Sequence, residues 1–256
     1  MSIADDTTTS WLRRFRAGTE QTGRLVCFPH AGGAATFFYP VAARFGPAID
    51  VVALQYPGRQ DRRAEPMVAD IATLADRITD ELVRLSDKPT VFLGHSMGAV
   101  LAYETAWRLE QRGSTHAPRT VIVSGRRAPS AARPDEQIYL RDDATFLAEL
   151  EKLNGTAMSL MEDDEMRRLT LPAIRNDYRA VETHRGEPGR ALGAAITALT
   201  GTEDPQARLD EVEQWRDFTT GGFRMASFPG GHFYLVEKPA PVMDEVDREL
   251  SALVRV

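Results

Sequence analysis

The chain has 256 residues, 43% hydrophobic and 27% charged, with a formal net charge of −6. This is the composition of a soluble globular protein with a full core, not of a disordered or fibrous chain. The acidic balance weighs against nucleic-acid binding, and the single cysteine, Cys27, excludes a disulfide within the chain.

Residues 1–22 are polar and threonine-rich. They read as a loose arm with one short docked segment, anchored by Trp11, Leu12 and Phe15. A first strand is expected over 24–29. It contains Cys27 as a buried structural thiol and runs into the loop Pro29-His30-Ala31-Gly32-Gly33. A second strand covers 50–56. Ile71, Leu74, Ala75, Ile78, Leu82 and Leu85 then recur at helical spacing. Strand 90–95 follows, then a helix from Ala99 to Arg112 with a less regular stripe of Val100, Leu101, Ala106 and Leu109. Further strands fall at 120–125, 194–200 and 223–228. A last helix starts near Pro239 and carries Val242, Val246, Leu250 and Leu253 on one face. Short apolar strands alternating with amphipathic helices predict an α/β fold with a mostly parallel sheet covered on both faces.

One connection breaks the rhythm. Between 128 and 190 no strand is expected, and two helical patterns replace it: Phe146, Leu147, Leu150, Leu153, then Met166, Leu169, Ile174, Tyr178. An insertion of this length reads as a helical lid. The division is therefore an arm (1–22), a first core part (23–127), a lid (128–190) and a second core part (191–256). Met158, Met161 and Met166 either line an acyl-chain pocket or pack the lid itself. No apolar run approaches the ~20 residues that span a bilayer, and no secretion pattern leads the chain, so a cytoplasmic protein without membrane contact is expected.

The chemistry concentrates in Gly94-His95-Ser96-Met97-Gly98, placed between a strand and a helix. Glycine, any residue, serine, any residue, glycine at such a corner is the nucleophile elbow of α/β-hydrolases. The turn is sharp, so small residues flank the serine. The hydrolase order is serine, then acid, then histidine. Asp204 lies on the loop leaving strand 194–200, and His232 on the glycine-rich loop after strand 223–228. Ser96, Asp204 and His232 are thus the catalytic candidates. Glu203, Asp135 and the more remote Asp210 are alternative acids. The backbone N–H groups of Ala31 and Met97 are the candidate oxyanion hole. His30 and His95 flank the site as packing or hydrogen-bonding residues. His116 and His184 have no evident partner. No metal-ligand spacing, P-loop or dinucleotide fingerprint is present, so neither a metal nor a cofactor is expected.

Five stretches resemble one family: Phe28-Pro29-His30-Ala31-Gly32-Gly33, Gln55-Tyr56-Pro57-Gly58-Arg59, Gly94 to Ala99, Gly201-Thr202-Glu203-Asp204-Pro205 and Gly230-Gly231-His232-Phe233. Together, over roughly 24–250, they are similar to the type II thioesterases that serve polyketide synthases and nonribosomal peptide synthetases. The resemblance implies an α/β-hydrolase fold with a lid, a triad of Ser96, Asp204 and His232, and oxyanion donors Ala31 and Met97. It also implies an editing role, in which stalled acyl groups are hydrolysed from the phosphopantetheine arm of an acyl or peptidyl carrier protein. Docking an acidic carrier needs a basic surface. Arg59, Arg62 and Arg63, or Arg126, Arg127 and Arg133, are candidates for it, against the plainer reading of solvated arginines. A monomer is expected. A general carboxylesterase or lipase, or an acyl-releasing acyltransferase, uses the same triad; a non-catalytic carrier-binding adaptor would not need it.

Overall fold

The computed structural model describes residues 9–16, 18, 21–46, 48–131, 133, 136–154, 164–187 and 189–254. Seven strands form one sheet: β1 (Leu12–Arg13), β2 (Gly23–Phe28), β3 (Ile49–Leu54), β4 (Thr90–His95), β5 (Thr120–Ser124), β6 (Ala195–Gly201) and β7 (Phe223–Phe228). Their spatial order is β1-β3-β2-β4-β5-β6-β7. Only β1 is antiparallel, pairing Leu12 with Leu54. The expected strands are all present, with ends displaced by at most two residues. The docked part of the N-terminal arm proves to be β1, and Trp11 and Leu12 are buried in the core.

The alternation along each strand splits the core in two. Val26, Phe28, Val52 and Phe92 face one side, where α2 (Ile71–Leu82) and α3 (Met97–Gln111) pack. Leu25, Cys27, Val51 and Leu93 face the other, where α1 (Tyr39–Phe45) and α8 (Pro239–Val254) pack. Every residue of β2, β3, β4 and β5 is buried, as parallel strands covered on both faces must be. Nearly the whole first three turns of α3 are buried too, which explains its weak periodicity: apolar residues are needed all round. Burial holds the Cys27 thiol protonated, with its pKa raised well above the ordinary value.

Between β5 and β6 lie α4 (Asp143–Asn154) and α5 (Asp164–Thr183), after short 3-10 turns at Pro129–Ala131 and Ile138–Leu140. They carry a small core of their own, built on Phe146, Leu150 and Leu171. The α4 stripe falls as expected. The α5 stripe does so only in part: Ile174 and Tyr178 pack against this core, while Met166 is 38% and Leu169 59% exposed. The buried face of α5 runs instead through Leu171, Asp177, Ala180 and Val181. Met158, Met161 and Asp135 lie outside the described residues. Two short helices, α6 (Leu209–Glu213) and α7 (Tyr234–Glu237), complete the chain. Among the described residues no helix is long and apolar enough to cross a membrane.

Candidate active site

The carboxyl ends of β2, β4, β6 and β7 converge on one rim, where open parallel sheets bind their ligands. Ser96 follows β4 directly, with φ 55° and ψ −116°. This is a strained conformation for a residue with a Cβ, costing on the order of 1–3 kcal/mol. Its surroundings enforce it. The Ser96 N–H donates to the Ser124 carbonyl at 2.8 Å, and the Ala99 N–H donates back to the Ser96 carbonyl at 3.0 Å. A Cβ on Gly94 would overlap the Gly98 carbonyl, and one on Gly98 the Phe28 carbonyl. The two glycines therefore allow strand, turn and helix to pack backbone against backbone. Met97 is the first residue of α3, so its N–H is one of the helix donors without an intrahelical partner.

Asp204 and His232 meet across the next two loops. His232 Nδ1 lies 2.8 Å from Asp204 Oδ2, and both residues are 4% exposed. The second carboxylate oxygen accepts the Gln206 N–H at 2.9 Å. The loops are bound to each other through backbone: Thr202 N–H to the Phe228 carbonyl at 2.8 Å, and Glu203 N–H to the Gly230 carbonyl at 3.0 Å. Gly201 has no room for a Cβ, because the Gly230 and Gly231 carbonyls occupy the space. Glu203 points to solvent, and Asp210 is exposed beside Arg208. Of the described acids considered for the site, Asp204 alone contacts His232.

Ser96, His232 and Ala31 share the wall of one cavity of about 960 Å³. The remainder of the wall is mostly apolar, with Phe37, Val41, Leu153, Ile174, Phe233 and Met243 among its residues. It draws on α1, α4, α5 and α8, so the α4–α5 segment closes one side. Met166 is not part of the wall.

The remaining histidines are accounted for by packing. His30 sits edge-on to Phe37 and Phe233, with ring centres 4.5 and 5.0 Å apart. Burial, then the His232 and Arg59 charges, push its pKa down to about 3. His95 is fully buried, with Nδ1 3.0 Å from Ser124 Oγ, which in turn lies 2.6 Å from the Tyr234 hydroxyl. Burial, with the His232 and His30 charges behind it, holds His95 neutral, its pKa far below normal. His184 lies 3.4 Å from Glu104, and His116 lies 2.8 Å from the Leu85 carbonyl. These partners are distant in sequence and left no local signal.

The arginine clusters proposed for docking are largely internal. Arg59, Arg62 and Arg127 are buried. Arg59 pairs with Asp177; Arg62 binds Glu65 and the Gln55 carbonyl, and stacks on Trp11. Arg127 pairs with Glu136, and Arg133 with Glu136 and Glu211. The buried guanidinium groups are not available to a partner surface, and Arg133, partly exposed, is already bound to two carboxylates. Only Arg63 of the first cluster is exposed.

What the Gln55-Tyr56-Pro57-Gly58-Arg59 stretch does instead is hold the loop after β2. Tyr56 donates its hydroxyl to the Pro29 carbonyl at 3.2 Å, Arg59 Nε donates to the Gly33 carbonyl at 3.2 Å, and Gln55 Oε1 accepts the Ala35 N–H at 2.8 Å. Asp177 was not among the residues singled out in the sequence. Its only signal there is a carboxylate at helical spacing from Ile174 and Val181, on what becomes a buried face.

The thioesterase domain model matches residues 23–250. The chain belongs to the thioesterase family. A probable cadicidin biosynthesis thioesterase of Streptomyces griseus is 54% identical over 251 residues, covering 98% of this chain and 68% of that one. The thioesterase PikA5 of Streptomyces venezuelae is 42% identical over 241 residues, covering 94% and 85%. Among solved structures, the type II thioesterase BorB from the borrelidin biosynthetic cluster superposes with a TM-score of 0.86 at 41% identity, covering 96% of this chain and 98% of that one. This thioesterase therefore shares fold and family with enzymes of polyketide and nonribosomal peptide clusters, and its α/β-hydrolase architecture is shown by both sequence and structure.

Proposed function

We propose that this thioesterase hydrolyses stalled or aberrant acyl groups from the phosphopantetheine arm of carrier proteins, with Ser96 as nucleophile, His232 as general base and acid, and Asp204 as the group that orients the imidazole. The observation that carries the reading is the strained Ser96 turn opening into the same apolar cavity as a histidine bonded to a buried aspartate. Type II thioesterases of biosynthetic clusters at 41% and 30% identity support the substrate class.

With its proton on Nδ1 and directed at Asp204, His232 presents Nε2 as a base. It takes the Ser96 proton as Oγ attacks the thioester carbonyl. The N–H groups of Ala31 and Met97 receive the oxyanion. The C–S bond breaks, and the leaving thiolate takes the proton from His232. Water then attacks the acyl-enzyme and gives its proton to His232; as the ester C–O bond breaks, His232 returns that proton to Ser96 Oγ and the acid is released. The apolar cavity excludes water from the acyl chain while a carrier presents the thioester from outside. The partner is thus an acyl or peptidyl carrier protein, met by a monomeric enzyme in the cytoplasm.

The test is release of a short acyl group from a phosphopantetheinylated carrier protein, with the native enzyme and Ser96→Ala. Release by the first and a fall of about 10⁶-fold in the second is expected, by analogy with serine removal in other triads. Failure of both on the carrier, with intact hydrolysis of small oxygen esters, would replace the reading with a general esterase.

A further inference from the structure

We propose that Asp177 of α5 is a positioning residue: it holds the oxyanion loop in shape through Gly32 and Arg59, which makes the α4–α5 segment part of the catalytic apparatus as well as a cover. The proposal rests on the reading of Ala31 as an oxyanion donor. It starts from the turn itself. The Gly33 N–H donates to the His30 carbonyl at 2.9 Å, closing a four-residue turn with Ala31 and Gly32 at its centre. Gly32 has φ +74°, the value a type II turn demands at its third position. Such turns have one soft degree of freedom, a flip of the central peptide between the type I and type II forms. That peptide joins Ala31 to Gly32. Its flip turns ψ of Ala31 and φ of Gly32; the Ala31 N–H belongs to the preceding peptide, so it keeps its place only while the turn as a whole stays anchored to its surroundings.

Asp177 blocks that flip. Its Oδ2 accepts the Gly32 N–H at 2.7 Å. The same oxygen pairs with Arg59 Nη2, while Arg59 Nε reaches the Gly33 carbonyl at 3.2 Å. One carboxylate thus fixes the donor of the central peptide, and its counter-ion fixes the next carbonyl. Asp177 is 1% exposed and Arg59 is buried, so neither interaction is diluted by water. Burial lowers the Arg59 pKa only to about 10, so the guanidinium carries its charge at working pH. One turn before Asp177 on α5, Ile174 packs against Gly32 closely enough that a Cβ there would overlap its Cγ1. The helix therefore meets the loop with an apolar stop and a charged clasp, four residues from end to end. Arg59 belongs to one of the five stretches that carry the family resemblance, and this contact gives it a task outside the triad.

Loss of a buried ion-pair partner also destabilises a fold, so activity alone is not a sufficient readout. The experiment is a double-variant cycle between Asp177→Ala and Ala31→Pro, the latter removing the candidate donor at a turn position where proline fits. Measured quantities are kcat, KM for an acyl-carrier substrate, Tm, and the affinity of a trifluoromethyl ketone whose adduct with Ser96 carries an oxyanion. Ala31→Pro should lower kcat about 100- to 1,000-fold. Asp177→Ala should lower kcat about 10- to 100-fold with KM little changed, and weaken the ketone by the same factor as kcat/KM. In the Ala31→Pro background the Asp177→Ala effect on kcat should shrink to within about 3-fold, because there is no donor left to position. Asp177→Asn retains an acceptor for Gly32 and should recover part of the loss; it also serves in the cycle if Asp177→Ala does not fold. Losses that multiply in full, or a KM effect without a kcat effect, overturn the positioning role while leaving the oxyanion hole intact. A near-native Ala31→Pro overturns the reading of Ala31, and the proposal with it.

Discussion

The two halves of the proposed active site are held in different ways. The Ser96 corner and the Asp204–His232 pair are fixed by backbone: strand ends, glycines with no space for a Cβ, and N–H to carbonyl bonds between adjacent loops. The loop bearing Ala31 is fixed by side chains from two remote segments, Tyr56 and Arg59 after β3 and Asp177 on α5. The first kind of support is inherited from the sheet and survives most side-chain changes. The second depends on a few buried polar contacts, and each is a point where sequence variation can tune the site.

The difference also explains what was legible in the sequence. The sheet was readable because parallel strands are short apolar runs, and Ser96, Asp204 and His232 follow from strand ends and glycines that lie next to them in the chain. Asp177 was not readable. It lies 145 positions from the backbone group it holds, and no local pattern records such a contact. Arg59 and Arg62 are visible in the sequence, but only as docking candidates or solvated arginines, since charge in a sequence suggests solvent until its internal partners are known. Met166 and Leu169 show the converse: apolar spacing predicts burial, but the packed face of α5 contains a carboxylate and leaves these two exposed.

The largest effect expected in the backbone-held half is on the acid. Asp204→Asn should lower kcat about 10⁴-fold, because an amide no longer enforces the imidazole tautomer. Glu203→Gln, one residue away but in solvent, should stay within about 2-fold. Comparable losses in the two variants, measured on one acyl-carrier substrate, would mean that His232 draws on the wrong carboxylate here.

Next in size is the glycine contact between the acid and histidine loops. Gly201→Ala places a methyl against the Gly230 and Gly231 carbonyls, which cannot move without displacing His232. A shift near 1 Å costs about 100-fold in rate, and overpacking costs about 1–3 kcal/mol of stability. Both losses should appear together in activity and urea-unfolding assays. A stable variant with native kcat would show the loops to be independent, and the contrast between the two halves would collapse.

The smallest effect lies in the side-chain-held half, at the end of α5. Glu182 accepts the N–H groups of Ile138 and Tyr139 at 3.4 and 3.2 Å, and burial raises its pKa to about 7 against those bonds. A carboxyl raised above its ordinary 4.5 binds its proton more tightly in the folded state. Its contribution to stability is therefore complete below pH 4.5 and is lost as the pH rises through about 7. Glu182→Gln removes the charge and keeps one of the two acceptor oxygens, so one of these N–H bonds is retained. The side chain is partly solvated, so screening limits the gain to roughly 0.5–1 kcal/mol at pH 8, with little at pH 4. His30, neutral in the fold, pulls the other way below pH 6.5, so the informative quantity is the difference in Tm between native and variant across this range. A difference that does not change with pH would place the Glu182 carboxylate in water. The junction of α5 with the Ile138–Leu140 turn would then rest on apolar packing and on Arg175, which donates to the Tyr139 carbonyl at 2.7 Å, and the reliance on buried carboxylates would end at Asp177.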